Sequence, residues 1–274
     1  MKSKLFVVLS ILVALSMLMT ACQPAATPTE PAAPVQEAAP TEAAAEPTEA
    51  KQVVRVATEA AYPPFEMVRE SDKELEGFDI DLMNAIAEKA GFEVEYANTP
   101  FDSVLAGIST CQFDAAISAI TITEERAQKI GFSDPYINAG QIVTVRTDET
   151  EIKGPEQLTG KTIGVQLSTT GQIEAEKIEG AEIKPYDTVD LAFLDLANGQ
   201  VDAVVADYPT TLNYVNKMKD QLMITGDIFT EESYGVGVCK QNTELLEKIN
   251  AALAELKSEG KLAELEQKWL AAAE

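Results

Sequence analysis

The segment QFDAAISA, residues 112–119, returns later in the chain as QVDAVVAD, residues 200–207, and this repeat indicates two similar halves. Each segment is a short apolar run with an aspartate in its third position, which is typical of a buried strand. As equivalent strands of two similar halves, they place residues 118–119 and 206–207 at matching carboxyl ends. Open α/β sheets bind ligands just outside such ends, so we expect these ends to face each other across a cleft. A chance match in so short a window is the alternative.

Strand-like and helix-like runs alternate upstream of each repeat. Upstream of the first lie VVRVAT (53–58), FDIDLMNAIAEKAG (78–91), FEVEYAN (92–98) and FDSVLAGIST (101–110). Upstream of the second lie TIGVQL (162–167), TGQIEAEKI (170–178), AEIKPY (181–186) and TVDLAFLDLANG (188–199). Strand, helix, strand, helix, strand therefore occurs twice, which predicts an α/β protein with two parallel-core sheets. Two extended runs flanked by glycine, QIVTVRT (141–147) and SYGVGVCK (233–240), are predicted to cross between the halves as a two-strand hinge.

A threonine-rich helix start follows the first repeat, in the sequence ITITEER (120–126). Thr121 and Thr123 offer hydroxyls where the first helical N–H groups lack partners, and Arg126 adds a forked cation. Together these groups form a socket for a small carboxylate or phosphate. The alternative is a capped surface helix with a solvated arginine.

Residues 1–22 have the pattern of an export signal. Two lysines precede an apolar run (5–19) that is shorter than the roughly 20 residues of a membrane span. The sequence MTAC (19–22) resembles the lipobox of bacterial lipoproteins, which implies cleavage before Cys22 and a lipid on that residue. The mature protein would then be anchored to the outer face of the cell membrane, in the periplasm or at the cell surface. An ordinary signal peptide with an incidental Cys22 is the alternative.

The region from 23 to 51 consists almost wholly of Ala, Pro, Thr, Gln and Glu, which predicts a disordered linker. The remaining chain is long enough for two lobes. We expect lobe 1 to comprise 52–138 plus 236–274, and lobe 2 to comprise 139–235.

Composition excludes several classes of function. The chain carries a net charge of −24 and contains no histidine. The missing imidazole excludes Ser-His-Asp and Cys-His nucleophiles and histidine metal sites. The negative charge disfavours nucleic acid and favours cationic small molecules. The sequence has no phosphate loop, dinucleotide fingerprint or zinc spacing, so we expect no cofactor, no metal site and no catalytic residue.

Eight motifs between 52 and 274 resemble those of the bacterial extracellular solute-binding proteins of family 3, which supply polar amino acids to ABC importers. They are ATEAAYPPFE (57–66), GFDIDLMNAIAEKAG (77–91), FDSVLAGI (101–108), FDAAISAITITEER (113–126), FSDPY (132–136), GVQLSTTG (164–171), VDAVVADYP (201–209) and YGVGV (234–238). The resemblance implies a two-lobed periplasmic-binding-protein-like fold of type II. It also implies a monomer without enzymatic activity that closes on one free amino acid and docks on a membrane permease.

The resemblance assigns the groups that hold the amino-acid backbone. Arg126 matches the arginine that binds the α-carboxylate, assisted by Thr121 and by the backbone N–H groups of Ala119 and Thr170. The α-ammonium is assigned to Asp207 and the Ser118 carbonyl.

Four further residues are assigned to the ligand side chain. Tyr62 and Phe101 match the aromatic residues that sandwich it, with core packing as the alternative. Glu59 and Gln166 match the selectivity positions, where a carboxylate without a neighbouring lysine favours arginine or lysine. The alternatives are that Glu59 forms a salt bridge with another protein residue, or that the ligand is glutamine or histidine.

Two other classes of function stay open from the sequence. One is a tethered amino-acid sensor, which needs the same binding chemistry. The other is an enzyme like cyclohexadienyl dehydratase, in which Glu59 would serve as general acid. An intact pair of Arg126 and Asp207 and no second catalytic pair argue against the enzyme.

Cys111 and Cys239 are the cysteines that remain after Cys22. The family resemblance brings the entry of one strand near the exit of the other, so a disulfide is possible in an exported protein. Two free, half-buried thiols are the expectation, because nothing local fixes the directions of the two Cβ atoms.

Overall fold

A computed structural model describes residues 51–271 of the chain. The predicted signal segment (1–22), the lipidation residue Cys22 and nearly all of the predicted linker (23–51) lie outside the described residues. Within 51–271, none of the helices has the length and apolar character needed to cross a membrane.

Strands and helices alternate along the described chain. The strands are β1 (Val53–Thr58), β2 (Ala61–Tyr62), β3 (Glu66–Val68), β4 (Leu75–Glu76), β5 (Glu93–Asn98), β6 (Ala115–Ala116), β7 (Ile130–Phe132), β8 (Ile137–Ala139), β9 (Gln141–Arg146), β10 (Thr162–Gln166), β11 (Glu182–Tyr186), β12 (Ala203–Asp207), β13 (Leu222–Thr225), β14 (Glu232–Tyr234) and β15 (Gly237–Cys239). The α-helices are α1 (Phe78–Ala90), α2 (Phe101–Ser109), α3 (Glu124–Ala127), α4 (Thr170–Glu176), α5 (Val189–Ala197), α6 (Tyr208–Lys217), α7 (Thr243–Ser258) and α8 (Lys261–Trp269). A 3₁₀ turn spans Pro155–Gln157.

The two five-stranded sheets have equivalent strand orders, although the strand numbers differ. The first runs β5-β1-β6-β15-β7 and the second runs β11-β10-β12-β9-β13. In the first sheet β5, β1 and β6 are parallel, and in the second β11, β10 and β12 are parallel. β15 and β9 run antiparallel to both of their neighbours. The prediction of two sheets with parallel cores is therefore confirmed, whereas the residue boundaries of the two lobes stay a prediction.

The repeated segments occupy equivalent places in the two sheets. The aspartate in the third position has the same role in both: Asp114 accepts a hydrogen bond from the Arg55 N–H (2.9 Å), and Asp202 accepts one from the Thr162 N–H (2.8 Å). Asp114 thereby joins the start of β6 to β1, and Asp202 joins the start of β12 to β10. The match between the two segments is structural and not a coincidence of composition.

The first repeat is a shorter strand than its sequence predicts. Only Ala115–Ala116 is a strand in FDAAISA (113–119), because the backbone turns at Ala119, whose φ is +46°. This left-handed turn redirects the chain from the end of the sheet toward the cleft.

The hinge lies elsewhere than predicted. QIVTVRT (141–147) does not cross between the halves, because β9 is buried inside the second sheet between β12 and β13. The segments that connect the sheets include β8 and β14, which pair antiparallel, and the predicted run 233–240 overlaps β14 in part before it enters the first sheet as β15. Gly140 follows β8 where the two connections touch, since a Cβ there would lie 2.3 Å from the Thr230 carbonyl oxygen.

Helix α1 shows how the apolar spacing of the sequence covers the first sheet. Phe78, Leu82 and Ile86 recur at helical spacing and are fully buried. The helix ends at Gly91, which adopts φ +78° and donates its N–H to the Ala87 carbonyl. At the chain's end, the Trp269 indole N–H donates to the Asp81 carboxylate (2.8 Å) and so ties α8 to α1.

Cys111 and Cys239 form a disulfide, which overturns the expectation of two free thiols. Their Cα atoms lie 4.9 Å apart, because β15 pairs antiparallel with β6 and brings its end to the loop that precedes β6. A further backbone bond, from the Cys239 N–H to the Asp114 carbonyl (3.0 Å), fixes this register. The disulfide therefore fastens the returning strand to the first sheet.

Removing this disulfide should lower the free energy of unfolding by about 2–4 kcal/mol, because it closes a long loop in the unfolded chain. The variant with both Cys111→Ser and Cys239→Ser is compared with the parent by denaturant unfolding. Thiol titration of denatured, unreduced protein lacking Cys22 is the direct check. Finding no free thiol agrees with the structure, and finding two contradicts it.

Candidate functional site

A cavity lies where the carboxyl ends of the two sheets meet. Its volume is about 10 Å³, because the lining side chains lie close together in this arrangement. It is lined by Tyr62, Phe101, Ser118, Ala119, Thr121, Arg126, Gln166, Thr169, Thr170 and Asp207. Nine of the ten predicted site residues are in this lining, and the tenth, Glu59, contacts the cavity residue Gln166. Thr169 was not predicted. The structure thus brings together residues that are up to 148 positions apart in sequence, from Glu59 to Asp207.

Arg126 supplies the positive charge of the cavity. Its backbone N–H is capped by the Thr123 hydroxyl (3.1 Å), as the helix-start pattern predicts. Its guanidinium donates to the carbonyl of Thr121 (2.9 Å) and, across the cleft, to the carbonyl of Ser168 (2.9 Å). The guanidinium also lies 5.6 Å from the centre of the Phe101 ring. Because α3 has only four residues, the socket depends on this guanidinium rather than on a helix dipole.

The backbone N–H groups of Ala119 and Thr170, expected beside Arg126, are not equally free to bind a ligand. The N–H of Ala119 donates to the Asp79 carboxylate (2.7 Å), so it is engaged inside the first half and does not point to a ligand as predicted. Thr170 opens helix α4, where a first-turn N–H has no helical acceptor. The Thr121 hydroxyl does not cap α3 either, because it donates to Glu232 (2.8 Å).

Asp207 supplies the negative charge at the end of β12. It is buried, and its Oδ2 accepts a hydrogen bond from the Tyr62 hydroxyl across the cleft. Its Oδ1 has no hydrogen-bond partner among the described residues. Burial, together with the charge of Glu232, raises the pKa of Asp207 to about 6. A cationic group beside Oδ1 would reverse that shift.

The two aromatic residues, Tyr62 and Phe101, pack in the hydrophobic core and also line the cavity. Tyr62 and Phe101 are each 6% exposed and belong to hydrophobic clusters. The cluster of Phe101 lies in the first half, whereas that of Tyr62 includes residues of both halves. Both also border the cavity. The core-packing alternative and the lining role are therefore compatible for these two residues.

Glu59 and Gln166 form the other end of the site. The Gln166 side-chain amide donates to Glu59 Oε2 (2.6 Å) and to the Asp187 carbonyl (3.3 Å). Burial raises the pKa of Glu59 to about 7, against the lowering effect of the Gln166 hydrogen bond. Among residues 51–271, Glu59 forms no salt bridge, which argues against the alternative of a salt bridge with another protein residue.

Two buried carboxylates behind the cavity, Glu66 and Asp79, are not predicted from the sequence. Glu66 accepts from the Ser118 hydroxyl (3.0 Å), and Asp79 accepts from Ala119 and from the Tyr136 hydroxyl (2.9 Å). Both carboxyl groups are fully buried, and burial raises the pKa of each, to about 6 for Asp79. They hold the turn at residues 118–119 in place. The only signal in the sequence was an acidic residue in each of two motifs, Glu66 in ATEAAYPPFE (57–66) and Asp79 in GFDIDLMNAIAEKAG (77–91). No cluster suited to a metal ion occurs in the part of the chain described.

Known proteins match both the sequence and this geometry. The model of bacterial extracellular solute-binding proteins, family 3, matches residues 54–272. The chain belongs to this family. Family 3 consists of substrate-binding proteins rather than enzymes, and its members bind amino acids for ABC transporters outside the cytoplasm.

Three relatives show the range within family 3. L-cystine-binding protein TcyJ of Escherichia coli (strain K12) is 33% identical over 219 residues, which cover 79% of this chain and 82% of TcyJ. An ancestral arginine-binding protein, solved with arginine bound, is 42% identical with a TM-score of 0.77, covering 80% of this chain and 98% of that one. ArtJ, an arginine-, lysine-, histidine-binding protein of Geobacillus stearothermophilus, is 39% identical with a TM-score of 0.76, covering 80% and 96%. The two-lobed fold class is thereby confirmed.

Proposed function

We propose that this family 3 protein captures one free amino acid with a cationic side chain. The backbone of the ligand is a zwitterion, and the cavity offers one charge of each sign. Arg126 lies on the first half and takes the α-carboxylate, while Asp207 lies on the second half and takes the α-ammonium. Because the two charges come from different halves, a ligand that contacts both stabilises the closed arrangement.

Two acceptor oxygens without a hydrogen-bond partner are the reason to propose a cationic ligand side chain. Glu59 Oε1 and Gln166 Oε1 are both buried and have no hydrogen-bond partner among the described residues. Buried acceptors need donors, and a guanidinium has five donors and no acceptor. The negative charges of Asp102 and Asp190 also raise the pKa of Glu59. This end of the site is therefore negative. Arginine fits these groups best, and lysine next.

Delivery to an ABC importer follows from the family role. The proposal includes a monomer held at the outer face of the membrane by a lipid on Cys22, and a permease as its partner. Mass spectrometry of the membrane fraction tests the lipid, and uptake of labelled ligand by cells lacking the permease tests the partner. Uptake that persists at the parental rate without the permease would favour the sensor alternative.

A calorimetric panel tests the substrate class. Arginine, lysine, histidine, glutamine, glutamate and cystine are titrated into the purified protein under one set of conditions. We expect arginine or lysine to bind most tightly. Tighter binding of glutamine or cystine would contradict the cationic assignment but leave the zwitterion site intact.

Replacing Glu59 by glutamine should reduce affinity for arginine much more than affinity for glutamine, because the shape is kept and the charge is lost. The parent should also bind arginine about twentyfold more weakly at pH 6 than at pH 8, because a cationic ligand must displace protons from two carboxyl groups: about tenfold comes from Glu59, of pKa about 7, and about twofold from Asp207, of pKa about 6. In Glu59→Gln, only the roughly twofold effect of the Asp207 pKa, about 6, should remain. Calorimetry at both pH values is the measurement, and equal pH profiles in the two proteins would contradict the role of Glu59.

A further inference from the structure

Glu232 lies in β14, one of the segments that connect the two sheets, and its carboxylate receives hydrogen bonds from four side chains. Its Oε2 accepts from the hydroxyls of Thr121 (2.8 Å) and Thr170 (2.8 Å). Its Oε1 accepts from the Thr230 hydroxyl (2.9 Å) and the Gln141 amide (3.1 Å). We refer to these five residues as the Glu232 network.

The network joins the two halves through one charged group. Thr121 follows the strand end of the first half, whereas Thr170 opens α4 and Gln141 begins β9, both in the second half. Thr121, Gln141 and Thr170 are buried, and no described cation forms a salt bridge with Glu232. The carboxylate is therefore stabilised by neutral donors, and the donors from the two halves meet on it only when the halves are together.

The network also determines what Thr121 and Thr170 offer to a ligand. Each hydroxyl proton points to Glu232, so neither proton is available to a ligand carboxylate. The Thr170 oxygen additionally accepts from the Gln141 amide (3.1 Å) and lies 3.4 Å from the Thr121 oxygen. Glu232 thus fixes two cavity-lining residues in one orientation.

We propose that Glu232 is a positioning residue that holds the closed arrangement by accepting hydrogen bonds from both halves at once. The inference rests on the proposed function, because closure is assumed to enclose an amino acid. Separating the halves takes Thr121 and Thr170 apart, so Glu232 can then keep only one of these two hydrogen bonds. Glu232 therefore slows the release of ligand without taking part in the first encounter.

Stopped-flow kinetics of arginine binding test this assignment. Glu232→Ala should release arginine about tenfold faster than the parent, since hydrogen bonds to a charged group are among the stronger ones. The association rate should stay within about twofold of the parental value. Glu232→Gln, which keeps the shape and one acceptor oxygen, should give an intermediate release rate. Glu231→Ala is the matched control, because it removes the same charge from an exposed neighbour.

The Thr121→Val variant tests whether Glu232 slows release through its hydrogen bond to the first half. It should also accelerate release, and the double variant with Glu232→Ala should release no faster than the faster single variant. Full additivity of the two effects, or a parental release rate in Glu232→Ala, would overturn the inference alone. A parent and a Glu231→Ala control that bind none of the amino acids would instead overturn the proposed function. Thermal unfolding of the ligand-free proteins separates these outcomes from misfolding.

Discussion

Replacing Arg126 by alanine should weaken the binding of every amino acid in the panel by roughly 30-fold or more. Truncating one partner of a buried charge pair costs about 2–5 kcal/mol, and Arg126 is the cation that lines the cavity. Calorimetry of the variant and the parent is the measurement. Lys129→Ala is the control, because it removes an equal charge from an exposed residue three positions later.

A ligand analogue makes the Arg126 prediction more specific. Agmatine is arginine without its carboxylate, so it should bind the parent weakly and lose little further affinity in Arg126→Ala. Arg126 also donates to the Thr121 and Ser168 carbonyls, so circular dichroism and thermal unfolding must show that the ligand-free variant is folded. A folded Arg126→Ala protein that binds arginine as tightly as the parent would contradict the socket.

Replacing Asp207 by asparagine should be nearly as damaging, with a loss of about 2–5 kcal/mol for ligands that carry a free α-ammonium. Asparagine keeps an oxygen for the Tyr62 hydroxyl, so the hydrogen bond across the cleft can persist while the charge is lost. Nα-acetylarginine, which has no α-ammonium, should show little difference between the variant and the parent. The exposed Asp220→Asn variant is the control for the loss of one negative charge. Equal losses for arginine and its acetylated form would contradict the assignment of Asp207 to the ammonium.

Most of the fold is encoded in local patterns that can be read directly. The alternation of runs predicts β1, α1, β5 and α2, and again β10, α4, β11 and α5, because apolar spacing and turn residues act over short distances. The repeat predicts that residues 118–119 and 206–207 occupy equivalent strand ends, and the paired roles of Asp114 and Asp202 confirm this. This equivalence accounts for three of the residues that line the cavity, Ser118, Ala119 and Asp207.

What could not be predicted depends on contacts between distant segments. The Ala119 amide is engaged because Asp79, 40 residues earlier, reaches it through the interior. The disulfide requires a register between β15 and β6 that no local pattern specifies. Glu232 looks like an ordinary polar residue of a connecting strand, and only the folded chain shows that donors from both halves surround it. The hinge was misplaced because a buried strand and a crossover strand are both extended, apolar runs.

A crystal structure of the protein with arginine bound would show which groups hold the ligand. We expect the α-carboxylate at the Arg126 guanidinium and the α-ammonium at Asp207 Oδ1, each at about 2.7–3.2 Å. The ligand guanidinium should reach Glu59 Oε1 and Gln166 Oε1. An arginine bound in the reverse direction, with its guanidinium at Asp207 and its carboxylate away from Arg126, would contradict the roles proposed for Arg126 and Asp207.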